Sequence, residues 1–207
     1  QIMNCFASLK NLAFAAAALV LVLGSAQKVE AFQTVVIDAG HGGYDFGAAE
    51  SYIYEKHLNL DVARRLDIIL RKNGIKTVLV RSRDNFVPLS ERANIANRYS
   101  NSVFVSMHFN HSWKTSIEGI EIYYRSSKGK TFANMVQAEL CKQTGSKNRG
   151  TRYENYAVIR RTHAPAILVE GGFVSNAKER KYMMDPRFRQ TVAQGIADGI
   201  LKYKKAK

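Results

Sequence analysis

His41 sits in the segment Asp38-Ala39-Gly40-His41-Gly42-Gly43, directly after the β-branched run Val35-Val36-Ile37. Glycines on both sides let the backbone bend tightly and leave the imidazole uncrowded. A glycine cluster after a strand can also cradle phosphate. The dinucleotide pattern G-x-G-x-x-G needs glycine at position 45, however, where Asp45 stands, and no helix opens directly behind the loop. His108, in Ser106-Met107-His108-Phe109-Asn110, likewise closes an apolar run, Val103 to Val105. Both histidines therefore fall at strand ends, the edge of an open α/β sheet where sites gather. His111 follows at H-x-x-H spacing, but beyond a strand end that spacing does not force both rings onto one ion, and it is read as a non-ligand.

Two carboxylates complete the set. Glu55 opens the first long helix, where a negative charge also suits the helix dipole without any further role. Glu170 ends the strongly apolar run Ala166-Ile167-Leu168-Val169 and precedes Gly171-Gly172. A carboxylate is expensive to bury there unless it has a partner or a task. Two imidazoles, one carboxylate and a water make a tetrahedral catalytic zinc site with an open position. A second, unligated glutamate is the base that such a site uses. The residue types permit this arrangement, but their spacing does not say which carboxylate takes which role.

The elements that must position these groups alternate along the chain. Val35 to Ile37 predicts a first strand. Leu58, Val62, Leu66, Ile69 and Leu70 predict a helix, with Gly74 as its C-terminal glycine. Ile75 to Val80 predicts a second strand, and Pro88 opens a helix with Leu89, Ala93 and Ala96 on its apolar side. Strands follow at Val103–Val105 and Ile120–Tyr124, with a helix over Phe132 to Leu140. Short strands are expected at Tyr156–Ile159 and Ala166–Val169. Asp185-Pro186 then starts a last helix bearing Phe188, Val192, Ile196 and Ile200. The fold class expected is α/β, a single layered domain with a central, largely parallel sheet, possibly mixed, flanked by helices.

Residues 1–31 stand apart from that domain. Lys10 precedes an apolar run of twelve residues, Leu12 to Leu23, with small residues after it up to Ala31. A bilayer core needs about twenty apolar residues, so the order fits a cleaved signal peptide over 1–31, leaving 32–207 as the folded domain. Cys5 would leave with the signal, and Cys141 then stands alone as a small buried hydrophobe on a helix. Formal net charge is +14, or +13 without Lys10, Lys28 and Glu30. Such a field attracts any polyanion, an anionic wall polymer or membrane surface as well as nucleic acid. Export and the lack of binding motifs exclude nucleic acid. Tyr153, Tyr156, Trp113 and Arg160-Arg161 could line a groove, but none is assigned a role.

The chain resembles the zinc-dependent N-acetylmuramoyl-L-alanine amidases of type 3. The resemblance rests on VVIDAGHGG (35–43), GAAESYIYEKHLNLDVARRL (47–66), VLVRSRDNFVPLSERANIAN (78–97), VFVSMHFN (103–110), EGIEIYY (118–124) and APAILVEGGFVSN (164–176). It implies one Zn2+ per chain held by His41, Glu55 and His108, with Glu170 as the catalytic glutamate. It implies a periplasmic or wall-associated hydrolase acting on peptidoglycan and muropeptides; the alternative is a non-catalytic wall-binding or division scaffold. Met107 and Phe109 depart from the isoleucine and alanine more often found beside the histidine. Many members carry an inserted helix that blocks the metal until an activator displaces it. The 61 residues between His108 and Glu170 leave no surplus for one, so the site is expected to be open without an activator.

Overall fold

The computed structural model describes residues 32–206, so the expected signal peptide lies outside the described residues. The strands are β1 (Thr34–Ala39), β2 (Ala49–Glu50), β3 (Ile53–Tyr54), β4 (Lys76–Leu79), β5 (Ser102–Asn110), β6 (Ile120–Tyr124), β7 (Asn148–Tyr153) and β8 (Ala166–Phe173). The helices are α1 (Glu55–Lys72), α2 (Leu89–Asn97), α3 (Ser127–Thr144), α4 (Ala157–Arg160), α5 (Ala177–Met184) and α6 (Pro186–Lys205). Six strands form one sheet in the order β4-β1-β5-β8-β6-β7, and β2 pairs with β3 as a separate hairpin. Neighbours in the large sheet run parallel except β6 against β8. The sheet is therefore mixed, as the expected class allows. Among the described residues no helix is long and apolar enough to cross a membrane.

Strand side chains alternate between faces, and here each face has its own core. Val35, Ile37, Val103, Val105, Ile167 and Val169 join α1, α3 and α6 in the larger core, while Val36, Phe104, Ala166 and Leu168 pack with residues of α2 and α4. By the same period of two, Asp38, Ser106, His108 and Glu170 belong to the smaller, α2–α4 face. The apolar stripes of α1 and α6 form as expected, with Gly74 left-handed after the first and the Asp185 side chain capping the second. Cys141 is part-buried on α3, where burial raises its thiol to about 11.

Two expectations need correction, and one strand was not expected. Tyr156–Ile159 is no strand: Ala157–Arg160 form the single turn α4. A four-residue apolar run cannot distinguish the two states, and here Val158 and Ile159 pack from outside onto the smaller core. Leu89 is 56% exposed and not on the buried side of α2. The edge strand β7, Asn-Arg-Gly-Thr-Arg-Tyr, had no apolar alternation to announce it, as suits an edge kept polar against further pairing.

A buried ionic network fixes the loop behind β1. Arg92 of α2 pairs with Asp38 at 2.7 Å, both fully interior, and donates to the carbonyls of Ala39, His41 and Val87. Ser106 Oγ donates to the other Asp38 oxygen at 2.7 Å. Arg81 donates to the carbonyls of Ala39, Gly40 and Lys56, and burial beside Arg92 pushes its pKa down to about 10. Removing one partner of a buried pair leaves an uncompensated charge. Arg92→Met is expected to lower stability by about 3–5 kcal/mol, read from the urea midpoint. An unmoved midpoint would show that the loop does not rest on this pair.

Candidate metal centre

The three expected donors meet at the carboxyl edge of the sheet. His41 leaves β1, Glu55 is the first residue of α1, and His108 stands near the end of β5. One donor atom from each lies within 4.8 Å of the others, and the group could hold a metal ion. Glu55 Oε1 is 2.8 Å from His108 Nδ1, and Oε2 is 3.2 Å from His41 Nε2. The same carboxylate accepts from the amides of Ala48 and Phe109 and from Asn59 Nδ2. Burial drives the Glu55 pKa upward, but hydrogen bonds from His108 and His41 outweigh it and hold the group far below the usual carboxylate range.

His41 is fixed from behind. Its Nδ1 meets Asp45 at 2.8 Å, which leaves Nε2 turned toward Glu55. Its backbone is left-handed, φ 61°, a conformation costly for a residue with a side chain. Lys56 Nζ grips the Gly43 carbonyl and Asp84, and Asp84 accepts from the Gly43 amide. Gly40 leaves room for the second histidine: a Cβ there would lie 2.2 Å from the His108 ring.

Glu170 is the in-register partner of His108 on the adjacent strand. Its Oε2 is buried without a hydrogen-bond partner. Burial, followed by the charges of Glu55 and Glu121, raises its pKa well above that of an ordinary glutamate. Glu170 shares with His41 and His108 a groove of about 420 Å³, walled by Phe86, Val87, Leu89, Tyr156 and Val158. Two imidazole nitrogens and a carboxylate suit a tetrahedral cation with one open position, and the unpartnered Glu170 oxygen stands on the same groove.

Comparison with known proteins shows the family. The family model for N-acetylmuramoyl-L-alanine amidase matches residues 35–202. The chain belongs to that family. It is 34% identical over 175 residues to the N-acetylmuramoyl-L-alanine amidase LytC of Bacillus subtilis, covering 83% of this chain and 35% of that one. It is 35% identical to the probable cell wall amidase LytH of Staphylococcus epidermidis, covering 83% and 58%. The chain thus spans between about a third and three-fifths of these relatives. The solved catalytic domain of CwlV, an N-acetylmuramoyl-L-alanine amidase from Bacillus (Paenibacillus) polymyxa var. colistinus, superposes with a TM-score of 0.81 at 44% identity, covering 85% of this chain and all of that one.

In this amidase-family domain the fold brings all four expected residues to one edge of the sheet, together with Asp45, which was not among them. Its signal was present, a carboxylate four residues beyond His41 in a glycine-rich turn. Tyr156 does line the groove, whereas Trp113 projects at 98% exposure, with His111 edge-on to it. His111 is exposed and outside the donor group. A carboxylate behind a metal-binding histidine typically tunes affinity by ~10–100-fold. Asp45→Ala is therefore expected to weaken zinc binding by about that factor, measured by competition with a chromogenic chelator. Burial lowers the proton affinity of His41, but its bonds to Glu55 and Asp45 outweigh this and raise its pKa above 6.5. Protons then compete with a cation for Nε2, so zinc affinity falls on acidification. Equal affinity in the variant and the parent would dismiss Asp45 from the site.

Proposed function

We propose that this chain is an exported, zinc-dependent hydrolase of peptidoglycan that cleaves the amide between N-acetylmuramic acid and the L-alanine of the stem peptide. The observation carrying the proposal is the pairing of a three-donor cation site with a separate, unsatisfied glutamate on the same groove. A scaffold that only bound wall would have no use for the second glutamate. Family membership supplies the substrate class, and the relatives named as wall amidases support a place in the cell wall or periplasm.

In this reading His41, Glu55 and His108 hold the ion and Glu170 handles the protons. Zinc, when bound, acts as a Lewis acid that makes water more acidic and polarises a carbonyl. Glu170 accepts the proton of the attacking water and then delivers it to the departing alanine nitrogen. A raised pKa suits both halves of that task, because a carboxylate that ionises reluctantly is a stronger base and, once protonated, a ready donor near neutral pH. His41 and His108, turned toward Glu55 by Asp45 and Gly40, keep the donors in place while this occurs. The apolar wall of Phe86, Val87 and Leu89 limits water beside the reacting bond. With α3 packed on α6 and α4 on α2, the segments between His108 and Glu170 build the domain itself, which supports an active site that needs no activator.

The zinc-loaded chain is expected to release stem peptides from muropeptides, identified by mass, and to stop when the metal is chelated. Wall binding that is salt-sensitive and yields no product would favour the scaffold. Glu170→Ala should retain zinc yet lose ~10²–10⁴-fold in kcat/KM; wild-type turnover would remove Glu170 from the mechanism. Because Glu170 works as the base in its deprotonated form and its pKa is raised, activity should fall on acidification at a pH above the ordinary glutamate range. An acid limb at or below that range would contradict this assignment.

A further inference from the structure

Two strands away from Glu170, the edge strand β7 carries two arginines on the same face. Glu170 on β8 lies in register with Glu121 on β6, and β7 follows at the sheet edge. Between the pairs Ile120–Asn148 and Ile122–Thr151, two residues of β7 oppose Glu121 alone. This bulge, with Gly150 at φ 86°, brings Arg149 onto the face that Arg152 occupies opposite Tyr123. Without the extra residue, strict alternation would put the two arginines, three apart, on opposite faces.

Glu121 does not need both of them. It is 3% exposed, accepts from the Tyr123 hydroxyl, and is hydrogen-bonded by Arg149 Nε. The guanidinium of Arg149 also lies over the Phe173 ring. Arg152 approaches Glu121 only to 3.7 Å, beyond hydrogen-bond reach, and its side chain is 52% exposed. Two guanidinium groups thus face one carboxylate that the first already satisfies.

We propose that Arg152, backed by Arg149, binds a carboxylate of the substrate's stem peptide. The inference rests on the amidase reading above. The residue that returns a proton to the leaving nitrogen must stand beside that nitrogen, so the peptide half of the substrate lies on the Glu170 side of the scissile bond. In that direction the sheet continues to Glu121 and then to the arginines. Strands lie ~4.8 Å apart, which puts the β7 backbone about 10 Å from that of Glu170. An extended peptide covers ~3.3–3.6 Å per residue, so the second or third stem residue falls within reach of the Arg152 fork. Planar guanidinium groups recognise carboxylates through paired hydrogen bonds, and the Glu121 charge offsets the repulsion between the two arginines.

The test uses the zinc-loaded chain and two synthetic muropeptides that differ only in whether the stem carboxylates are free or amidated. The wild type is expected to favour the free acid by about tenfold in kcat/KM, mainly through KM. Arg152→Gln should abolish that preference and Arg152→Lys restore part of it, with circular dichroism confirming that both variants fold. Lys72→Gln, which removes one charge from the exposed end of α1, should keep the preference; its loss there would assign the effect to the overall positive field and overturn the subsite. A wild type indifferent to amidation, or an Arg152→Gln variant with the parent's preference, would overturn it as well. Cleavage of neither substrate would instead refute the amidase reading, and the subsite with it.

Discussion

The carboxylate of Glu55 is the point on which the rest of the site depends. It is buried and charged, and burial alone would force it to neutralise. What keeps it ionised is a shell drawn from three parts of the chain: His41 and the Ala48 amide from the loop after β1, His108 and the Phe109 amide from β5, and Asn59 one turn along its own helix. No one of these segments can shift without exposing an unpaired charge to the interior. The loop's strained His41 backbone persists because so many partners determine it. A cation held by the same donors would add its charge to this balance and tie metal binding to the order of the loop.

Beneath that carboxylate, the sheet separates support from chemistry by the alternation of its side chains. The face toward α1, α3 and α6 is apolar and buried, and it carries most of the core. The opposite face bears Asp38, Ser106, His108, Glu170 and Glu121 on neighbouring strands, so the polar groups are brought together by the sheet and not by any loop. Their burial is tolerable because arginines meet them. Arg92 neutralises Asp38 beneath the His41 loop, and Arg149 does the same for Glu121 at the far end. Glu170, between them, has no such partner.

The sequence made some of this legible and hid the rest for physical reasons. Long periodic elements such as α1 and α6 could be read because burial of one face imposes a repeat on residue type. His41 and His108 could be placed at strand ends from the apolar runs before them. The turn α4 could not, since Ala157-Val158-Ile159 has too few residues to show a period. β7 could not either, because an edge strand with arginines on one face and Thr151 on the other carries no apolar signature. Asp45 was overlooked because its role depends on the left-handed turn that folds it back to His41, and that conformation is not encoded in spacing. For the same reason neither glutamate could be assigned from its neighbours in sequence, and the family resemblance was needed to divide their roles.

The two glutamates show why environment, and not residue type, decides that division. Both are carboxylates beside His108, one bonded to its ring and the other in register with it, and both are desolvated. Glu55 receives hydrogen bonds from two imidazoles, two amides and an asparagine, so its charged form is favoured and a proton is a poor competitor for it. Glu170 is buried with one of its own oxygens lacking a donor and feels the negative charges of Glu55 and Glu121, so its charged form is disfavoured and a proton is welcome. In the proposed reaction, environments that push two like groups apart in this way would give one the task of holding charge and the other the task of moving protons. If the roles were exchanged, the cation would have to displace a proton from Glu170, while Glu55, pinned on both oxygens, would be too weak a base to take one from water.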